Sequence, residues 1–143
     1  MELKPWHVGI SVSDLSVSVP WYEAVLGFRR VRNSWAEPLR AQICFLERDG
    51  FELELFQYER PRPLPPERRH PDTDLQTIGT KHLAFRVENL AVLLAELERL
   101  GADIAHRTAV GGKQVCFLRD PDGVLIELIQ PADASFEKGA GQQ

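Results

Sequence analysis

The chain is poor in most of the features that mark specialised classes of protein. Only two of its 143 residues are cysteine, Cys44 and Cys116, too few for a disulfide framework. Both lie in apolar runs and read as reduced, buried thiols. There is no surplus of positive charge: 17 Lys and Arg against 21 Asp and Glu leave a formal net charge of -4 and a pI near 5.6. Nothing global therefore draws the chain to nucleic acid or to an anionic membrane. No apolar run approaches the roughly 20 residues that span a bilayer, and Met1 to Pro5 carry no signal-peptide core. The expectation is a cytoplasmic protein with neither a nucleic-acid nor a membrane partner. What the chain does have is 43% hydrophobic residues, enough to bury one real core.

It also has an internal repeat. His7-Val8-Gly9-Ile10-Ser11-Val12-Ser13-Asp14-Leu15 aligns without a gap on His82-Leu83-Ala84-Phe85-Arg86-Val87-Glu88-Asn89-Leu90. Gln42-Ile43-Cys44-Phe45-Leu46 matches Gln114-Val115-Cys116-Phe117-Leu118, and Leu53-Glu54-Leu55-Phe56 matches Ile126-Glu127-Leu128-Ile129. Each copy begins with a His and ends with a Glu.

Periodicity gives each copy its elements. Residues 6–13 alternate as a strand, and residues 17–26 carry Val17, Trp21, Ala24 and Val25 at helical spacing before Gly27. Pro20 is expected to confine the regular helix to its downstream side. In the second copy Asn89 is an N-cap, Leu90, Leu93, Leu94, Leu97 and Leu100 form one stripe, and Gly101 ends it. Three short strands follow each helix, over 28–34, 40–47 and 51–58, then 102–107, 113–119 and 124–130. Arg48-Asp49-Gly50 and Pro121-Asp122-Gly123 carry turn chemistry. The prediction is a single α+β domain of two βαβββ modules, about 5–58 and 81–131, forming a cupped, mostly antiparallel sheet.

Between the modules, residues 59–80 hold five of the ten prolines and four arginines and read as an extended linker with no packed element. It serves either as a spacer or as a lid whose Arg60, Arg62, Arg68 and Arg69 collect anions. His70, within it, is expected to be exposed, and His106 reads as a strand end. The tail over 132–143 reads as frayed or as crossing to a partner subunit.

Strand parity decides which side chains meet. Val8, Ile10 and Val12 go under the first helix, leaving His7, Gly9 and Ser11 on the other face. The same count turns His82, Ala84 and Arg86 away from the second helix, and sets Glu54 and Glu127 opposite their leucine neighbours. A carboxylate among apolar neighbours, as Glu127 is, needs a partner or a metal. Two imidazoles and two carboxylates suit a divalent first-row ion. Parity opposite Ile43, Phe45, Val115 and Phe117 places Gln42, Cys44, Gln114 and Cys116 in the cup as substrate-shaping positions.

The combined pattern, His-x-x-Ile-x-Val-x-Asp-Leu, Trp21-Tyr22-x-x-Val25-Leu26-Gly27-Phe28, Leu-Glu-Leu-Phe, Lys-His-Leu-Ala-Phe-Arg-Val and Asp-Pro-Asp-Gly-Val-Leu-Ile-Glu-Leu, resembles the vicinal oxygen chelate superfamily. Within it the likeness is to the glyoxalase I and methylmalonyl-CoA epimerase branch, over about Lys4 to Pro131. The resemblance implies that His7, Glu54, His82 and Glu127 are the ligands of one divalent ion (Ni, Co, Zn, Mn or Fe), commonly in a homodimer. It implies a metal-dependent lyase or isomerase that transfers a proton next to a carbonyl through a metal-bound enediolate or enolate, with Glu127 or Glu54 as the base. Glutathione-using relatives typically carry Arg where this chain has Ser11, while Arg86 holds the matching place in the second copy and is a candidate contact for an acidic small-molecule substrate. Two alternatives share the fold: a non-haem iron(II) dioxygenase, and a drug-binding protein without catalysis.

Overall fold

A computed structural model describes residues 1–132; the expected tail lies outside the described residues from 133 onward. The chain divides into two compact units, one of residues 1–64 with 120–122, the other of residues 65–119 with those from 123 onward.

The first unit contains β1 (His7–Val12), α1 (Leu15–Leu26), β2 (Arg29–Ala36), β3 (Ala41–Arg48) and β4 (Phe51–Tyr58). Its sheet has the order β1-β4-β3-β2, with β1 parallel to β4 and the other neighbours antiparallel. The second unit contains α2 (Pro71–Asp74), β5 (Leu83–Arg86), α3 (Leu90–Arg99), β6 (Asp103–Val110), β7 (Lys113–Arg119) and β8 (Leu125–Gln130), in the order β5-β8-β7-β6. Two βαβββ modules of an α+β fold are therefore present, as the repeat predicts.

The same local devices build both units. Asp14 caps α1 by accepting from Ser16 N at 2.8 Å, and Asn89 caps α3 by accepting from Val92 N at 3.1 Å, each satisfying an N–H that the first turn leaves free. A glutamine near or at the end of the last strand satisfies another: Leu15 N donates to Gln57 Oε1 at 2.7 Å and Leu90 N to Gln130 Oε1 at 2.8 Å. Gly27 ends α1 at φ 67°, in the left-handed region where a Cβ is costly. One expectation fails here, because α1 runs from Leu15 straight through Pro20. The bond that Pro20 cannot donate would go to the carbonyl of Ser16, which lies on the exposed side of the helix and remains open to water.

Burial follows the pleat. Leu46, Leu53 and Leu55 are fully buried in the first unit, and Leu118, Ile126 and Leu128 in the second. They meet Val19, Tyr22 and Leu26 of α1, and Leu90 and Leu97 of α3. Each such leucine is worth about 1.5–3 kcal/mol of apolar burial. The Tyr22 hydroxyl, buried with its ring, donates to Asp120 Oδ2 at 2.9 Å. Asp120 Oδ1 accepts from Asp122 N, and Asp122 Oδ2 from Ser13 N, both at 2.9 Å. Burial pushes the Tyr22 hydroxyl well above its usual pKa of 10, and the Asp120 charge adds to the rise.

The inter-module segment is not the unstructured linker expected. Residues 65–80 belong to the second unit and form a 3-10 turn, Pro66–Arg69, followed by α2. Each begins at a proline, whose fixed φ and missing N–H suit a first helical position. Asp74, at the end of α2, is 1% exposed and anchors the segment. Its Oδ1 accepts from Arg68 Nε at 2.9 Å and Lys81 Nζ at 3.3 Å. Lys81 Nζ also donates to the carbonyls of Asp74 and Thr77.

Candidate functional site

Residues directly paired across neighbouring strands share a face of the sheet, so the register fixes what surrounds each His and Glu. In the first unit Gly9 pairs with Glu54, and Glu54 with Phe45. In the second, Ala84 pairs with Glu127, and Glu127 with Phe117. A small residue on the first strand, a Glu on the last and a Phe on the next thus form one row in each unit. His7 and His82 precede the small residues by two positions and lean over the same face.

Both pairs close to nearly the same geometry. His7 Nε2 lies 3.1 Å from Glu54 Oε2, with side chains 31% and 16% exposed. His82 Nε2 lies 3.0 Å from Glu127 Oε2, with side chains 27% and 15% exposed. Each imidazole stands edge-on to the phenylalanine of its row: His7 to Phe45 at 5.7 Å between centroids, His82 to Phe117 at 5.2 Å. Trp6 flanks His7 at 5.4 Å. Gly9 on the same face leaves room for the Phe56 ring, which a Cβ there would approach to 3.0 Å. Phe117, Val115 and Leu125 form an apolar cluster, joined by Ala105 and Ile129, beside Glu127.

Two donors bound cis to one ion at about 2.1 Å each stand about 3 Å apart, the separation seen in both pairs. The same distance serves a charge-assisted imidazole–carboxylate contact, so the pair is satisfied with or without an ion. Each unit thus offers two donors of the kind a divalent ion takes, and among the described residues no three His, Cys, Asp or Glu gather into one group.

Other sequence-selected positions fall differently. Cys44 pairs with Leu55 and Gln42 with Gln57, while Cys116 pairs with Leu128 and Gln114 with Gln130. All four therefore lie on the helix side of their sheets, not beside the His–Glu pairs. The expectation counted Phe45 and Phe117 into the core, whereas the register puts both rings beside the glutamates. Cys44 and Cys116 are buried and unbridged. Burial raises both thiol pKa values, although Arg30 opposes it at Cys44 and Arg107 at Cys116, the reverse of the shift that activates a thiolate. Gln42 and Cys44 instead line a cleft of about 560 Å³ between α1 and the β2–β3 hairpin. Arg86 does share the face of His82 and Glu127, paired with Ile129.

Of the linker arginines, Arg68 is bound to Asp74 and the Thr80 carbonyl, and Arg60 and Arg62 are exposed. His70, expected to be exposed, is half-buried edge-on to His106 at 5.5 Å. Two residues that parity counting missed share the glutamate face: Arg32 pairs with Phe45 and His106 with Phe117. A register shift lies just before each, between Arg30 and Arg32 and between Ile104 and His106. A bulge reverses the alternation, and only the equal spacing of the two copies hints at it in sequence.

Comparison with known proteins is consistent with this architecture. The family model described as Glyoxalase/Bleomycin resistance protein/Dioxygenase superfamily matches residues 4–128. Among curated relatives, the uncharacterized protein YwkD of Bacillus subtilis is 31% identical over 87% of this chain and 94% of its own. The lactoylglutathione lyase of Escherichia coli O157:H7 is 26% identical over 90% of this chain and 93% of its own. Among solved structures, a glyoxalase family protein from Enterococcus faecalis superposes with a TM-score of 0.75 at 27% identity, covering 88% of this chain and 96% of that one.

Proposed function

Starting from the fact that this chain belongs to the glyoxalase/bleomycin resistance protein/dioxygenase superfamily, we propose that it is a metal-dependent lyase or isomerase of the glyoxalase type, moving a proton at a carbon next to a carbonyl. The observation that carries the proposal is the duplicated pair, an imidazole Nε2 and a carboxylate Oε2 at 3.1 Å in one unit and 3.0 Å in the other. His7, Glu54, His82 and Glu127 are the residues that would hold one divalent ion. Such an ion supplies Lewis-acid stabilisation of the charge that develops on the carbonyl oxygen.

The chain's own residues provide the rest. Phe45 and Phe117 fix the imidazole planes, so that each Nε2 keeps its direction without a search through rotamers. Glu54 or Glu127 takes the proton from the carbon acid on a carboxylate oxygen and returns it to the neighbouring carbon. The apolar cluster around Phe117 keeps water from one side of Glu127, favouring proton return to substrate over loss to solvent. Arg86 meets the substrate on the same face. Similarity to a lactoylglutathione lyase supports the lyase arm, while Ser11 argues against a glutathione conjugate. The protein would work as a homodimer in the cytoplasm. Among the described residues no helix is long and apolar enough to cross a membrane.

The test is metal analysis of the purified protein, then reconstitution with Ni, Co, Zn, Mn or Fe and assay with methylglyoxal plus several thiols and with an epimerisable acyl-CoA. Proton exchange or turnover with at least one ion supports the proposal. Absence of both with every ion overturns it.

A further inference from the structure

The bulge in β2 turns Arg32 onto the face that carries His7 and Glu54. Its guanidinium carbon lies 3.6 Å from the centroid of the Phe45 ring, a cation–π contact that holds the planar group flat. The same ring meets His7 in a T-shaped contact, so Arg32 stands one ring away from the His–Glu pair. Among the described residues the ionic neighbour of Arg32 is Glu52, whose Oε2 stands 3.6 Å away, too long for a hydrogen bond. The same Glu52 oxygen already accepts from Trp6 Nε1 at 3.1 Å. The N–H fork is thus oriented by the ring beneath it and 45% exposed, and it donates no hydrogen bond among the described residues. A planar guanidinium so held matches the two oxygens of a carboxylate or a phosphate.

The second unit repeats the arrangement with different chemistry. A bulge at the equivalent place in β6 sets His106 opposite Phe117, and His70 packs edge-on against it. Two independent bulges at matching positions each bring a nitrogen donor beside the aromatic member of the row. Alternation continued from Arg30 and Ile104, which pair with the buried Leu46 and Leu118, would instead put both on the helix side of their sheets.

We propose that Arg32 is a substrate-binding residue that anchors an oxyanion, so that the substrate bears a carboxylate or phosphate roughly 10 Å, two interstrand spacings, from the carbonyl at which the proton moves. This deepens the proposed function and rests on it for the reacting end of the substrate. The oxyanion site itself needs neither metal nor turnover.

Metal-free protein labelled with nitrogen-15 is titrated with inorganic phosphate, with succinate and, as a neutral control, with succinamide, following the Arg32 Nε–H and Phe45 resonances. Saturable shifts with at least one anion and none with succinamide are expected, and the better-bound anion identifies the group. The midpoint is expected to rise at least tenfold in Arg32→Gln and less in Arg32→Lys, which keeps the charge but loses the fork. Unchanged melting temperatures would show that both variants fold. Equal midpoints in wild type and Arg32→Gln, or no saturable shift with either anion, would overturn the assignment. Since the readout is taken without metal, that failure is separate from failure of the metal reconstitution above.

Discussion

Replacing Asp74 by asparagine is expected to destabilise the protein by about 3 kcal/mol. The carboxylate is 1% exposed, and one oxygen receives both Arg68 and Lys81. An amide of the same shape leaves two cations facing a neutral group, and removing one partner of a buried ion pair costs about 3–5 kcal/mol. The lower end applies because the Arg68 and Lys81 side chains keep 30% and 20% exposure and backbone acceptors the substitution does not touch. At about 2–4 °C per kcal/mol for a chain of this order of size, the melting temperature falls by roughly 6–12 °C at pH 7. The effect carries a pH signature. Burial pushes the Asp74 carboxyl up, but the bonds from Arg68 and Lys81 outweigh it and hold the pKa below the usual 3.8. A depressed carboxyl stabilises the fold above its unfolded pKa and loses that contribution as pH falls through the folded value. The gap between wild type and variant should therefore be full at pH 7 and shrink below about pH 4. Urea unfolding followed by circular dichroism at pH 7 and pH 3 measures it. A gap under about 1 kcal/mol at pH 7, or one equal at both pH values, would refute the role given to Asp74.

Three further outcomes follow from buried contacts. Tyr22→Phe removes the hydroxyl that Asp120 accepts from and should cost about 1–3 kcal/mol in urea unfolding. Because the Tyr22 pKa is raised on folding, its stabilisation is complete below pH 10 and declines as pH rises beyond it, a decline that Tyr22→Phe should lack. Leu97→Ala, in the buried stripe of α3 at 1% exposure, should cost about 2–5 kcal/mol in urea unfolding. Gly123→Ala places a Cβ against the Arg69 guanidinium at φ 92°, and a melting temperature lowered by several degrees is expected from about 1–3 kcal/mol of strain.

Most of the fold was legible because it is written twice. Alternation around His7 and His82, the Asp14 and Asn89 caps and the glycines that follow the helices each appear in both copies, and each has a local physical cause. The residues that escaped were those whose placement depends on the neighbouring strand. Arg32 and His106 lie beyond bulges, which invert the parity that a single strand displays. Gln42, Cys44, Gln114 and Cys116 lie on the helix side, against parity counted from Phe45 and Phe117 as core, because an aromatic ring beside a glutamate looks, in sequence, like a core residue. The prolines around Asp74 suggest an extended spacer or lid, yet Pro66 and Pro71 begin helical turns, and nothing local marks Asp74 as buried. The His and Glu of each row were accessible because a carboxylate between leucines demands a partner wherever the strand lies.

The central claim is that His7, Glu54, His82 and Glu127 share one ion, and its most direct test is calorimetric titration of metal-free protein with Ni, Co, Zn, Mn and Fe(II) ions. One site per chain is predicted, with affinity lost by about tenfold or more in each of His7→Ala, Glu54→Gln, His82→Ala and Glu127→Gln. Binding that survives substitution in either unit, or a stoichiometry of two ions per chain, would contradict a site built from both pairs.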